Sequence, residues 1–212
     1  MATPQPGTRD PGTSMPTEHP GAHIADPAPL GLAGFACTTL ALSWVNAGLT
    51  ASAVETSTVV ALAFFYGGLA QLLAAMWEFK KGNTFGAAAF GTFGPFWLAF
   101  AFYVHVLLPT VPKADQASTT GWFLLVFTIV TLYLTLASLR TTGILALVFV
   151  ALLVTFIFLD IAEFGGAASA GKIGGYIGII TAILAFYASA AAVVNATWKK
   201  TVLPVFPLAP EA

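Results

Sequence analysis

The chain has 212 residues, 58% apolar and only 8% charged, with a mean hydropathy of +0.85. A water-soluble domain carries about a quarter charged residues, so this composition excludes a soluble fold. The net charge of −1 comes with no long acidic or basic run, which gives nucleic acid nothing to bind, and the length leaves no room for a catalytic domain beside a helical bundle.

Residues 1–25 are rich in Pro, Gly and Thr, lack the apolar core of a secretory signal, and are expected to form a disordered tail. From residue 30 the chain changes to six apolar runs, at 30–49, 57–77, 84–108, 119–139, 143–159 and 173–194. Each is near the roughly 20 residues that cross hydrocarbon as a helix. None contains Asp, Glu, Lys or Arg, so all eight basic and nine acidic residues fall in tails or connections, as the cost of charge in lipid demands. Barrel strands would be about 10 residues long with alternating polarity, which is absent here. The expected fold is an all-α integral membrane protein, with a six-helix domain over 26–200 and a C-terminal tail over 201–212.

The first run opens with Asp26-Pro27-Ala28-Pro29-Leu30-Gly31-Leu32. There Asp26 suits an N-cap and Pro27 the position after it. Cys37, the single cysteine, reads as packing. Between the second and third runs lies the charged turn Trp77-Glu78-Phe79-Lys80-Lys81-Gly82-Asn83-Thr84, in which Glu78 can pair with Lys81 or Lys80 and either Asn83 or Thr84 caps the third helix. The third run carries Gly91, Gly94 and Pro95 near its middle, so a kink or break is expected there. At and just before the start of the sixth run, Gly171 pairs with Gly175 and Gly174 with Gly178, the spacing of close helix contact, within one bundle or between subunits.

With six spans, one side of the membrane receives Arg9, Lys80, Lys81, Arg140, Lys199 and Lys200, and the other only Lys113 and Lys172, which favours cytoplasmic termini in a plasma membrane. No catalytic or metal-binding constellation is present: His19 and His23 lie in the tail, and His105 stands alone near the end of the third run. No enzyme activity and no cofactor are expected. The polar groups within the spans, including Thr38, Thr39, Gln71, Thr92 and Tyr187, are neutral and suit weak, multiple contacts with a permeating solute. Most of the hydroxyls should bond back to their own helices. Gln71 cannot, and must find a partner or a cavity. The lack of buried ionisable groups argues against an internal proton relay.

Two stretches carry a family resemblance. Asp26–Leu32 resembles the Asn-Pro-Ala-Pro-Leu-Gly-Leu signature of the acetate uptake transporters (succinate-acetate permeases, GPR1/FUN34/YaaH), and residues 65–90 resemble that family's second and third helices. The resemblance implies six helices around a central pore, a homohexamer in the lipid membrane, and transport of acetate and related carboxylates such as succinate, channel-like or proton-coupled. It implies a pore constriction at Phe35, Phe93 and Leu152, and at Ala185 a position that tunes substrate size. Phe93 stands where the family has Tyr and Asp26 where it has Asn, so the constriction should be drier and the mouth more acidic. Pro27, Pro29, Gly31, Glu78, Asn83 and Thr84 belong to the signature stretches. The alternatives are a channel for water, urea or ammonia, and a non-transporting scaffold or acetate sensor.

Overall fold

The computed structural model describes residue 21, residues 23–50 and residues 53–208. Most of the expected tail, residues 1–20 and 22, therefore lies outside the described residues, as do 51–52 and 209–212. Gly21 itself is buried on the turn at Lys80 and Lys81, where a Cβ would fall 2.7 Å from Lys81 Cα.

Among the described residues, six helices are long and apolar enough to cross a membrane. The first is α1 (Ala28–Asn46). The second is built from α2 (Ala53–Phe64), a π-helical stretch (Phe65–Ala70) and α3 (Gln71–Lys81), which run on without interruption. The third is α4 (Thr84–Phe102), extended by a π turn (Tyr103–Leu107) and a 3₁₀ turn (Leu108–Thr110). Then follow α5 (Lys113–Ser138), α6 (Gly143–Gly165) and α7 (Ala168–Trp198). Large apolar side chains such as Phe65, Trp122, Leu136 and Ile183 are more than half exposed, as lipid-facing surfaces require. The chain is a multi-pass, all-α membrane protein.

Several helices extend beyond the apolar runs and take charges with them. Glu78, Lys80 and Lys81 lie in α3, Asp160 and Glu163 in α6, Lys113 and Asp115 in α5, and Lys172 in α7. The expectation of no buried ionisable group is thereby corrected: Glu78 is 0% exposed, and Asp160 is half-buried, its Oδ2 accepting a 2.7 Å hydrogen bond from Thr128 Oγ1 across the α5–α6 contact. Charge-free runs end at the first charge, whereas helices end where capping ends them.

The third span is not broken at Pro95. α4 runs through it, with the Pro95 side chain exposed, and the local loss is the one helix bond that Gly91 O would have accepted. Irregular backbone falls at the end of that span, at Tyr103–Thr110, and at Phe65–Ala70 of the second, where buried Gly67 and Gly68 press on Thr38, Trp97 and Leu98. Thr38, Thr131, Thr135, Thr155 and Thr181 all donate to a carbonyl four residues back in their own helices, at 2.7–3.0 Å.

After α7 the chain reverses at Lys199, in left-handed conformation with φ 52°, and returns as a strap along the end of the bundle. Gly143 and Ile144, at the start of α6, donate their N–H groups to the carbonyls of Phe206 (2.7 Å) and Val205 (3.4 Å). The strap thus satisfies donors that a helix start leaves open. Asn195 holds it by three bonds: Oδ1 accepts from Val202 N (2.7 Å) and Leu203 N (2.9 Å), and Nδ2 donates to Leu203 O (2.8 Å). Asn195→Ala is expected to release the strap and to lower stability by about 1–3 kcal/mol. Thermal unfolding in detergent checks the loss, and protease cleavage after Lys199 or Lys200 should accelerate.

Candidate functional site: two cavities and an apolar ring

Two cavities lie in series along the bundle. The first, of about 60 Å³, sits towards the end that carries the α3–α4 turn and the strap. Its lining includes Ala28 and Leu32 from α1, Gln71 and Glu78 from α3, Asn83, and Phe85 and Phe90 from α4. The second, of about 40 Å³, sits towards the other end, with Thr39, Ser43, Asn46, Trp97 and Thr155 in its wall. Both are far below the roughly 300–1,000 Å³ of drug-sized ligand pockets, which restricts an occupant to a few heavy atoms.

Three residues line both cavities: Phe35, Phe93 and Leu152. They come from α1, α4 and α6 and are 5%, 3% and 5% exposed. The Phe35 and Phe93 rings meet edge to face at 5.8 Å, and Phe93 also touches Phe96 and Phe149, each at 6.3 Å. Aromatic pairs favour these geometries and distances, so the ring is held from outside by a packed shell. The partition between the cavities is wholly apolar.

The cavity walls differ in their unmet polar atoms. In the first, Gln71 Oε1 and Glu78 Oε1 are buried acceptors without a donor among the described residues. In the second, Thr39 Oγ1 and Trp97 Nε1 are buried without a partner among them. Both of the latter can donate. Of these four residues, Glu78 and Trp97 are the two that sequence reasoning did not assign to the pathway. A signal for Glu78 was present: it follows Gln71 by seven residues, two helical turns, which puts both on one face of α3.

The remaining motif residues are structural neighbours of this site. Asp26 pairs with Lys81 Nζ at 2.7 Å and accepts from Ala28 N only at 3.4 Å, so the expected helix cap is mainly an ion pair. Pro27, not Asp26, occupies the boundary position, and Pro29 lies in the first turn of α1, its carbonyl accepting from Ser189 Oγ of α7 at 2.7 Å. Glu78 pairs with neither lysine, because Lys81 turns outward to Asp26; its Oε2 accepts from Asn83 Nδ2 at 2.9 Å. Asn83 caps α4, accepting from Gly86 N at 3.1 Å, and Thr84 is the exposed first residue of that helix. A Cβ on Gly31 would fall 2.7 Å from the Phe90 ring. Thr38, Thr92, Ala185 and Tyr187 border neither cavity. Thr38 is occupied by Gly34 O, Tyr187 donates to Pro204 O of the strap at 2.9 Å, and Ala185 is fully buried in the same apolar cluster as the ring.

Residues 6–210 match the profile of the GPR1/FUN34/yaaH family. The chain belongs to that family. Among its members, the succinate-acetate/proton symporter SatP of Escherichia coli (strain K12) is 37% identical over 184 residues, covering 86% of this chain and 95% of SatP. Ammonia transport outward protein 2 of Saccharomyces cerevisiae is 38% identical over 208 residues, 96% of this chain and 72% of that one. The solved structure of the bacterial acetate channel SatP superposes with a TM-score of 0.80 at 36% identity, over 86% of this chain and 99% of the channel. Both its fold and its family mark the chain as a membrane transporter, not an enzyme.

Proposed function

We propose that this chain moves acetate, and more slowly succinate, through the two cavities and across the ring of Phe35, Phe93 and Leu152. The observation that carries the reading is that these three side chains alone are common to both cavities, so a solute passing from one to the other must part them. An apolar ring of this kind gates by dewetting, and small neutral or briefly desolvated solutes pass it best. The names borne by the bacterial relatives supply the substrate class, and the small cavities suit it.

The protein is further read as a plasma-membrane homohexamer with cytoplasmic termini. Lys80, Lys81, Arg140, Lys199 and Lys200 at the strap end, against Lys113 and Lys172 at the other, support the orientation. The exposed apolar faces are available to lipid and to neighbouring subunits.

A solute panel in proteoliposomes tests the function. Labelled acetate should enter saturably, faster than succinate and well above protein-free vesicles. Flux of ammonia or urea exceeding that of acetate would overturn the reading in favour of a neutral-solute channel, the activity that the name of the yeast relative suggests for that protein.

A further inference from the structure

We propose that the strap over Lys199–Leu208, together with Arg140, is a docking surface for the headgroups of anionic phospholipids, its outward side chains seated at the membrane boundary. The inference stands apart from the acetate reading, since it uses only the membrane fold. Side chains alternate along the strap. Leu203 and Val205 are half-buried, Val205 against the cluster that holds Leu32 and Ile144, whereas Val202, Pro204, Phe206 and Leu208 are exposed. Both faces of the segment are thus apolar. A segment bathed in water would turn polar residues outward, yet this one presents Phe206 at 63% exposure. Its level in the membrane is set by the helices beside it: α5 exposes Leu132, Leu136 and Leu139 just before Arg140, and α7 exposes Val193 just before Trp198.

The backbone is fixed for this display. Phe206 has φ 56°, in the left-handed region that a Cβ disfavours. Bonds on both sides hold it there: Gly143 N donates to Phe206 O at 2.7 Å, and Leu208 N to Thr141 O at 2.9 Å. An unfavourable conformation is thereby maintained at a residue whose ring lies largely outside the core, which marks the position as one with a use beyond packing.

Charge selects the kind of lipid. Lys199 and Lys200 are exposed at one end of the strap, with Lys200 Nζ 5.4 Å from the ring centre of Trp198, itself 63% exposed. Exposed Arg140 stands at the other end, next to the Thr141 carbonyl that holds Leu208. None of these cations forms an ion pair among the described residues, for Asp26 is taken by Lys81 and Glu78 is buried. Aromatic rings settle at headgroup level, and unpaired Lys and Arg beside them attract an anionic leaflet. A zwitterionic headgroup would leave the cations uncompensated. A soluble anion would leave the apolar row in water. Because the strap carbonyls also satisfy Gly143 and Ile144, a lipid that holds the strap steadies the start of α6, whose Leu145 and Val148 line the first cavity.

The experiment titrates the purified full chain in detergent with dioleoyl phosphatidylglycerol or dioleoyl phosphatidylcholine, which share their tails and differ in headgroup charge. Native mass spectra read the binding. Hydrogen exchange at the Gly143 and Ile144 amides reads the place, since both are bonded to the strap. The wild type is expected to prefer phosphatidylglycerol by about 10- to 100-fold, at about fivefold for each cation near the headgroup, and phosphatidylglycerol should slow exchange at both amides. The double variant Lys199→Gln with Lys200→Gln should lose about 10- to 25-fold of that preference. Raising NaCl from about 0.1 M to about 1 M shortens the screening length from about 10 Å to about 3 Å and should remove most of the preference in the wild type, a check that needs no variant. Equal binding of the two lipids overturns the proposal, as does a preference that the folded double variant or high salt leaves intact. Inorganic phosphate slowing the two amides as strongly as phosphatidylglycerol overturns it in favour of a soluble anion. Exchange that phosphatidylglycerol leaves unchanged places the lipid elsewhere and overturns it as well.

Discussion

Leu152→Ala is expected to open the partition between the two cavities and to raise flux of succinate relative to acetate by about tenfold, a barrier change of about 1.4 kcal/mol. Leu152 is the one contribution of α6 to the three residues lining both cavities, beside Phe35 and Phe93, and Phe93 is itself held by Phe96 and Phe149. The aromatic shell resists collapse into the space left behind, so the added volume remains available to solute. Buried Leu→Ala changes cost about 2–5 kcal/mol, and this one should fall at the lower end because the side chain already borders empty space. Competitive uptake of labelled acetate and succinate, with thermal unfolding of the same preparation, measures both effects. An unchanged succinate-to-acetate ratio in a folded variant would place the barrier elsewhere. Phe93→Tyr is the useful contrast, since it adds a hydroxyl without removing bulk; it should alter acetate rate more than size selectivity.

The spans were legible because lipid tolerates so few charges, and the positions of those charges nearly bracket the helices. Their ends were not. Glu78 and Asp160 follow apolar runs directly, yet α3 continues to Lys81 and α6 to Gly165, because a carboxylate can stay inside a bundle when Asn83 or Thr128 donates to it. At Pro95 only the expected break is absent: the residue forfeits one helix bond, and α4 runs on through it. The strap was invisible in the sequence because its partners are backbone N–H groups some sixty residues away, at Gly143 and Ile144, and its prolines give no periodicity. At the site, Gln71 was identified because its amide has no local partner. Glu78 was assigned to a surface turn through the lysines beside it, although its seven-residue spacing from Gln71 fixes the face on which it lies. The three ring positions came from family resemblance alone, since nothing in periodicity separates Phe93 from Phe90 or Phe96.

The largest effect on the fold itself is expected at Gly175. A Cβ there would meet the backbone of α1 where that helix ends, colliding with Ala47 N and falling 2.7 Å from both Ala47 Cα and Asn46 C. Backbone cannot rotate aside, so α7 and α1 must separate, and the cost of Gly175→Val should reach at least about 3 kcal/mol, the upper range for over-packing. Gly178, one turn further along the same face, meets Ser43 Oγ and Cβ instead. The Ser43 hydroxyl can change rotamer, which leaves only its Cβ, at 3.0 Å, to give by a little, so Gly178→Ala should cost only about 1 kcal/mol. Melting of the two variants in detergent therefore has a required order. Equal losses would mean that the α1–α7 contact is not set by backbone approach, and loss only in the oligomer would move these glycines to a subunit interface. The consequence reaches the site, because α1 carries both Phe35 of the ring and Thr39 of the second cavity. Displacing α1 from α7 by the width of one methyl group moves the ring, so Gly175→Ala should leak acetate before it unfolds.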